Sequence, residues 1–326
     1  ISQGRQPFVD ELLIESTDLA RTWHSAERYT GNPVLKPRSE SELKLGGTIY
    51  LGHGGVFFDP REGLFKMFYV AGWRGPLAVA TSRDMVHWDR PEVAPGQDNV
   101  LLPRSVDDNC LWLDLQAFRP GESLKFLELD RRRGRHFLYT SADGRTWSKG
   151  VPTDRGAGDY CSFFYNPFRK VWVFSIKGNT RGRNRYYHEH ADFLQGGKWS
   201  EAVYWTGADR LDEPEPEDSY PGAGEPTQLY SLSAVAYESL LVGLHYIHRG
   251  PKNEICAKGK FPKLTDLELG FSRDGFHWDR PSRERFISCT WDASSWRYGN
   301  VQSSAGGPLV VGDKLYFYFS GHAKPR

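Results

Sequence analysis

Apolar residues along this chain alternate with polar ones or gather in short runs, and Gly, Pro, Asn and Asp bound those runs. This is the pattern of strands joined by tight turns. One hairpin type pairs a short apolar strand with an aromatic-rich one. It reads as Val56 to Phe58, turn Asp59-Pro60, Leu64 to Val70; then Leu115 to Phe118, turn Arg119 to Glu122, Leu124 to Leu129; then Ser162 to Tyr165, turn Asn166-Pro167, Val171 to Ile176. The fourth is Leu232 to Tyr237, turn Glu238-Ser239, Leu240 to Ile247, and the fifth Pro308 to Val311, turn Gly312-Asp313, Lys314 to Ser320.

A second hairpin type recurs between these copies. Ser82-Arg-Asp-Met-Val-His-Trp-Asp-Arg-Pro91 and Ser272-Arg-Asp-Gly-Phe-His-Trp-Asp-Arg-Pro281 agree at 8 of 10 positions. Weaker copies are Ser141-Ala-Asp-Gly-Arg-Thr-Trp147 and Asp192 to Trp199. A repeat of this kind points to a propeller. Five hairpins of one type and four of the other predict an all-β fold, a five-bladed β-propeller of four-stranded antiparallel blades spanning 1–326 as one domain. Residues 1–45 form a lead-in, and its segment Phe8 to Val34 is expected to help complete the last blade.

Composition agrees with a β-rich, turn-rich chain: 34 Gly, 20 Pro and 14% aromatic residues among 326. The 42 basic and 41 acidic side chains nearly cancel, so no nucleic-acid partner is expected. No apolar run is long enough to cross a bilayer, and none is amphipathic enough to suggest membrane contact. Cys110, Cys161, Cys256 and Cys289 lack metal-ligand spacing and read as thiols, with disulfides the alternative. Neither metal nor cofactor is expected. The absence of an initiator Met at Ile1 suits a trimmed chain or a mature secreted protein.

Blade topology sorts the loops by face, because alternate turns of a blade lie at opposite ends. Asp59, Asp84, Asp143 and Asp274 fall on the far face as turn-forming carboxylates. The long loops share the mouth, as is usual for function on a rigid scaffold. They carry Trp73, the pair Asp107-Asp108, Arg131 to Arg135, Asp159, Arg181 to Arg185, His188, the acidic run Asp209 to Glu225, Trp291, Asp292 and Trp296. Trp88, Trp147, Trp199 and Trp278 recur once per outer hairpin and read as blade packing. Trp73, Trp291 and Trp296 fall outside that repeat and are candidates to stack on a sugar ring. The Arg clusters suit a uronate or sulfate, or pairing with the acidic run.

The chain resembles the five-bladed propeller glycoside hydrolases, the superfamily of invertases and levanases, arabinanases and β-xylosidases, and mannoside phosphorylases. The likeness rests on Phe57-Phe58-Asp59-Pro60 with Lys66-Met67-Phe68-Tyr69, the Ser-x-Asp-x-x-x-Trp hairpins, and Val311-Gly312-Asp313-Lys314-Leu315-Tyr316. It looks closest to invertase-like bacterial proteins that share the lead-in Phe8 to Glu15 and Gly31 to Leu35. The resemblance implies a secreted or periplasmic glycosidase acting on a plant or algal oligosaccharide, and long mouth loops that would block an open groove suggest exo action. It also implies three mouth carboxylates, one per early blade. At the first position Gly52-His53-Gly54 offers none, so His53 is a candidate to bind a substrate hydroxyl. The second falls at Asp114 and the third at Asp159, followed by Tyr160-Cys161. Asp159 is expected as general acid and Asp114 as base or stabiliser, with Glu225 or Asp292 as the missing partner. Asp108, Arg183, Arg185, His188, Trp73, Trp291 and Trp296 are expected to bind substrate. A non-catalytic carbohydrate-binding propeller is the alternative, and a propeller for protein assembly the third reading.

Overall fold

The computed structural model describes residues 4–52, 55–106, 108–117, 119–303 and 307–322; His53, Asp107 and Phe118 lie outside them. Four antiparallel blades follow one another along the chain. The inner strand of blade I comes in two parts, Ile49–Tyr50 and Val56–Asp59, both paired to Leu64–Ala71, with Leu77–Ser82 and Val100–Leu102 outside. Blade II runs Asn109–Leu113, Leu124–Asp130, Arg135–Ser141, Val151–Pro152, and blade III Ser162–Asn166, Val171–Gly178, Asn184–His190, Val203–Gly207. Blade IV is built from Gln228–Tyr237, Leu240–Gly250 and Leu264–Ser272; Leu267 bridges Ile287 at its outer edge.

Among the described residues the expected fifth four-stranded blade is not formed. In its place Asn300–Ser303 pairs with Phe319–His322, and Leu309–Val311 with Lys314–Tyr316, so one hairpin carries the fifth repeat. The described lead-in supplies no strand to it; before Ile49 its only regular element is the helix Glu40–Lys44. It covers instead of pairing. Val34 and Leu35 pack in the cluster that joins Leu309, Val311 and Tyr316 to Val56 and Phe65 of blade I, and Trp23 stacks on Phe271 of blade IV. Leu309–Val311 also lies against Val56–Asp59, which closes the ring.

A second correction concerns blade II. Its inner strand is Asn109–Leu113, not Leu115 to Phe118, because Cys110, Leu111 and Leu113 are buried while Leu115 is half exposed. A long connection with a 3-10 turn at Pro120–Glu122 follows. The outer hairpins behave alike. Asp84, Asp143 and Asp274 each accept two backbone N–H bonds within their own turn, and Trp88, Trp147 and Trp199 each donate Nε1–H to the carbonyl three residues back. All four cysteines are free, three of them buried.

Candidate functional site

Inner strands begin at the mouth and end at the far turns, so the loops before Asn109, Ser162 and Gln228 converge on the axis. Tyr50 of blade I and Tyr160, just before blade III, share a hydrogen bond between their hydroxyls although 110 residues separate them. Blade II lies between those two in the ring, so this contact crosses the axis. Tyr160 also packs on Tyr230 (centroids 4.6 Å apart) and Tyr246 (5.5 Å), both from blade IV. Four tyrosines thus form the floor of the mouth.

The backbone at Tyr160 is left-handed (φ 63°), a conformation costing a non-glycine residue roughly 1–2 kcal/mol. Its carbonyl is held by Arg185 Nη2 at 2.8 Å and by Ser231 Oγ at 3.2 Å. Arg185 is buried, and its other donors go to Ser175 and to the Tyr230 carbonyl. It therefore positions two floor tyrosines from beneath, where no substrate reaches, in place of the substrate contact expected from the sequence.

That turn presents Asp159. Its carboxylate is ion-paired with Lys177 from Val171–Gly178. Burial pushes the Asp159 carboxyl up, but Lys177, Arg131 and Lys263 outweigh it and hold the group below the ordinary carboxylate range. Asp108 behaves oppositely. Its side chain is only 5% exposed, and burial raises its proton affinity against the pull of His136 Nε2 at 3.6 Å. The charge of Asp159 pushes in the same direction, and the Cys161 N–H donates to Asp108 Oδ2 at 3.4 Å. Burial would lower the proton affinity of His136, but Cys161 and Asp108 raise it to about 9.

The remaining sequence candidates divide by place. Trp73 stands on the mouth rim, edge-on to Tyr50 (5.8 Å). Arg183 lies 5.0 Å over the Tyr230 ring, and Glu225 pairs with Lys252 at 3.0 Å on the wall of the same cavity. Trp291 joins Tyr220, Phe261 and Tyr298 in a rim cluster, while Trp296 stacks on Phe319 of the last hairpin. Three candidates do not join the site. Asp114 ends the inner strand of blade II, about 20 Å from Asp108 at roughly 3.3 Å per residue, and sits 3.4 Å from Lys125 on the far side. His188 pairs in register with Phe174, well down its strand. Asp292 is exposed and caps its own turn at Ser294. The acidic run is engaged by Arg280, Arg283, Arg285 and Arg249 on Asp209, Asp212 and Glu215, in place of the pairing with the Arg131 to Arg135 and Arg181 to Arg185 clusters that the sequence offered.

Sequence reasoning missed Lys177, Lys263, Tyr230 and Tyr246. Tyr230 and Tyr246 lie at the mouth end of one hairpin, where Ser231 pairs with Tyr246, so paired aromatics at that level were the available signal.

No protein-family model and no curated protein matches the chain. Solved structures do. A proposed glycoside hydrolase from Parabacteroides distasonis superposes with a TM-score of 0.57 at 15% identity, covering 92% of this chain and 94% of that one. A proposed glycosidase from Bacteroides thetaiotaomicron gives 0.53 at 12%, covering 92% and 93%, and a thermostable family-43 glycoside hydrolase 0.52 at 12%, covering 86% and 88%. At such identities the likeness is one of fold: the chain is an all-β propeller of the architecture seen in glycoside hydrolases.

Proposed function

We propose that this protein hydrolyses a glycosidic bond of an oligosaccharide bound in the propeller mouth. One observation carries the reading: two carboxyls at the mouth ends of neighbouring inner strands have opposite proton affinities. Lys177 holds Asp159 below the ordinary carboxylate range, and burial raises the proton affinity of Asp108. Glycoside hydrolysis uses one carboxyl with a proton and one without, and environments that push the two apart assign the roles. Asp159 is then the carboxylate that meets the anomeric carbon or its attacking water, and not the acid. Asp108, whose proton affinity burial raises, takes the proton-donating role. The tyrosine floor closes the axis beneath them, which supports exo action on a chain end. Resemblance to invertase-like and arabinanase-like proteins supports a plant or algal oligosaccharide and a secreted or periplasmic setting.

A second reading, glycan binding without turnover, is favoured by the Lys177 contact, which occupies the Asp159 carboxylate. A panel of aryl glycosides and oligosaccharides assayed with wild type, Asp159→Asn and Asp108→Asn separates the two. We expect kcat to fall at least a hundredfold in Asp159→Asn, the low end for losing a positioned carboxyl, at unchanged melting temperature. Turnover within tenfold of wild type refutes the assignment. Binding without turnover in wild type supports the second reading.

A further inference from the structure

Tyr230 carries three cations around one ring: Lys177 Nζ lies 4.9 Å, the Arg183 guanidinium 5.0 Å and Lys263 Nζ 5.7 Å from its centroid. An aromatic face attracts one cation by about 0.5–2 kcal/mol. Three like charges gathered around it repel one another by a comparable amount per pair. Among the described residues Lys177 has Asp159, but Arg183 makes no ion pair; its backbone N–H and Nη1 both donate to the neutral Gln228 Oε1, at 3.0 and 2.9 Å. The nearby Glu225 is held by Lys252.

His248 reports the resulting field. Its ring stacks on Tyr230 (6.1 Å), and burial together with Arg183, Lys263 and Lys177 lowers its proton affinity to about 3. Its Nδ1 accepts from the Gly250 N–H at 3.2 Å, which leaves Nε2 as the donor. Among the described residues that atom is buried without a partner, and His248 is only 2% exposed. An unmet buried donor costs about 1–3 kcal/mol. His248, Arg183 and Gln228 line a cavity of about 190 Å³ together with Glu225, Lys252 and Glu254. At about 30 Å³ for one water in the liquid, the space suits a charged substituent and part of its ring.

The geometry points to an anion subsite in this cavity, in which Arg183 and His248 bind the carboxylate or sulfate of an acidic saccharide beside Lys177 and Lys263. The inference rests on reading the mouth as a saccharide site, and it names the class of saccharide. Glu225 and Glu254 also line the cavity, and the charges of Arg183, Lys177 and Lys263 must outweigh their repulsion of the anion.

Calorimetric titration with four oligosaccharides of one linkage tests it: one uronate-bearing, one sulfated, and the neutral counterpart of each. The acidic ligands are expected to bind at least tenfold more tightly than their neutral counterparts at 50 mM salt, with the advantage shrinking at 300 mM. Arg183→Gln is expected to bring the ratio of acidic to neutral affinity to about one, whatever it does to binding as a whole; Lys263→Gln, a second variant that keeps the hydrogen bonds at Gln228, is expected to reduce that ratio. Comparison of the uronate and sulfate arms identifies the anion. Equal binding of charged and neutral ligands, a preference that survives both substitutions, or binding by none of the four overturns the subsite. Hydrolysis of neutral glycans without acidic preference leaves the glycosidase reading intact and removes this one. Acidic preference without turnover does the reverse.

Discussion

Glu42 ties the lead-in to blade I through a buried network whose contribution can be worked out. It sits in the helix Glu40–Lys44 as part of a capping box with Ser39, and its side chain is fully buried. Oε1 accepts from Tyr69 Oη (2.7 Å) and Arg90 Nε (2.8 Å). Oε2 accepts from Arg90 Nη2 (2.9 Å) and from the backbone N–H groups of Arg38 (2.7 Å) and Ser39 (2.9 Å). Burial alone would raise the carboxyl, but these donors outweigh it and bring it from 4.5 to about 2. At about 1.4 kcal/mol per tenfold change in proton affinity, the ionised group adds about 3 kcal/mol at neutral pH. Leaving Arg90 buried without its carboxylate costs a similar 3–5 kcal/mol.

The sign follows from the depressed folded-state value. The contribution is complete above pH 4.5 and is lost as pH falls toward 2; at pH 3 about 1.4 kcal/mol of it is left. Urea unfolding of wild type and Glu42→Gln should therefore differ by about 3 kcal/mol at pH 7 and by less than half of that at pH 3. Taking the difference between the proteins cancels the other carboxylates. A difference under about 1 kcal/mol at pH 7, or one that stays constant down to pH 3, would refute the reasoning.

On the far face, Asp59→Asn is expected to cost about 3 kcal/mol, since the buried carboxylate bonds Arg61 and Lys66, while Asp274→Asn costs about 1 kcal/mol through its two turn N–H bonds. Both should leave kcat unchanged, and loss of turnover at unchanged melting temperature in either would overturn the division of faces. Asp212→Ala removes the carboxylate shared by buried Arg280 and by Arg283, so a loss of about 3–5 kcal/mol is expected, with faster proteolysis between 209 and 225; a melt within 2 °C of wild type would show the pairing to be idle.

What the sequence revealed depends on the reach of each interaction. The Asp84, Asp143 and Asp274 turns were legible because donor and acceptor lie within three residues, and the repeat made them recognisable. Inner strands with a short turn were placed within a few residues. Blade II was not: the run Cys110-Leu-Trp-Leu-Asp-Leu115 fits two registers, and the long connection after Leu113 hides where the strand ends. That slip carried Asp114 to the wrong end of the blade. The fifth blade failed for a related reason, since apolar residues of the lead-in such as Val34 and Leu35 can fill a seam by packing as well as by pairing, and a pattern of apolar positions does not distinguish the two.

The mouth was the least legible part because its contacts are set by ring closure. Tyr50 meets Tyr160 across 110 residues, Arg280 meets Asp212 across 68, and Arg185 reaches the Tyr230 carbonyl across 45. None of these has a local signature. The consequence is chemical as well as geometric. Lys177 helps hold Asp159 ionised, and it lies just past Ile176, where the strand predicted from the sequence stops. The proton affinity of a mouth carboxylate therefore follows from the cation that the neighbouring strand brings to it, so the roles proposed for Asp108 and Asp159 belong to the closed ring and not to either residue alone.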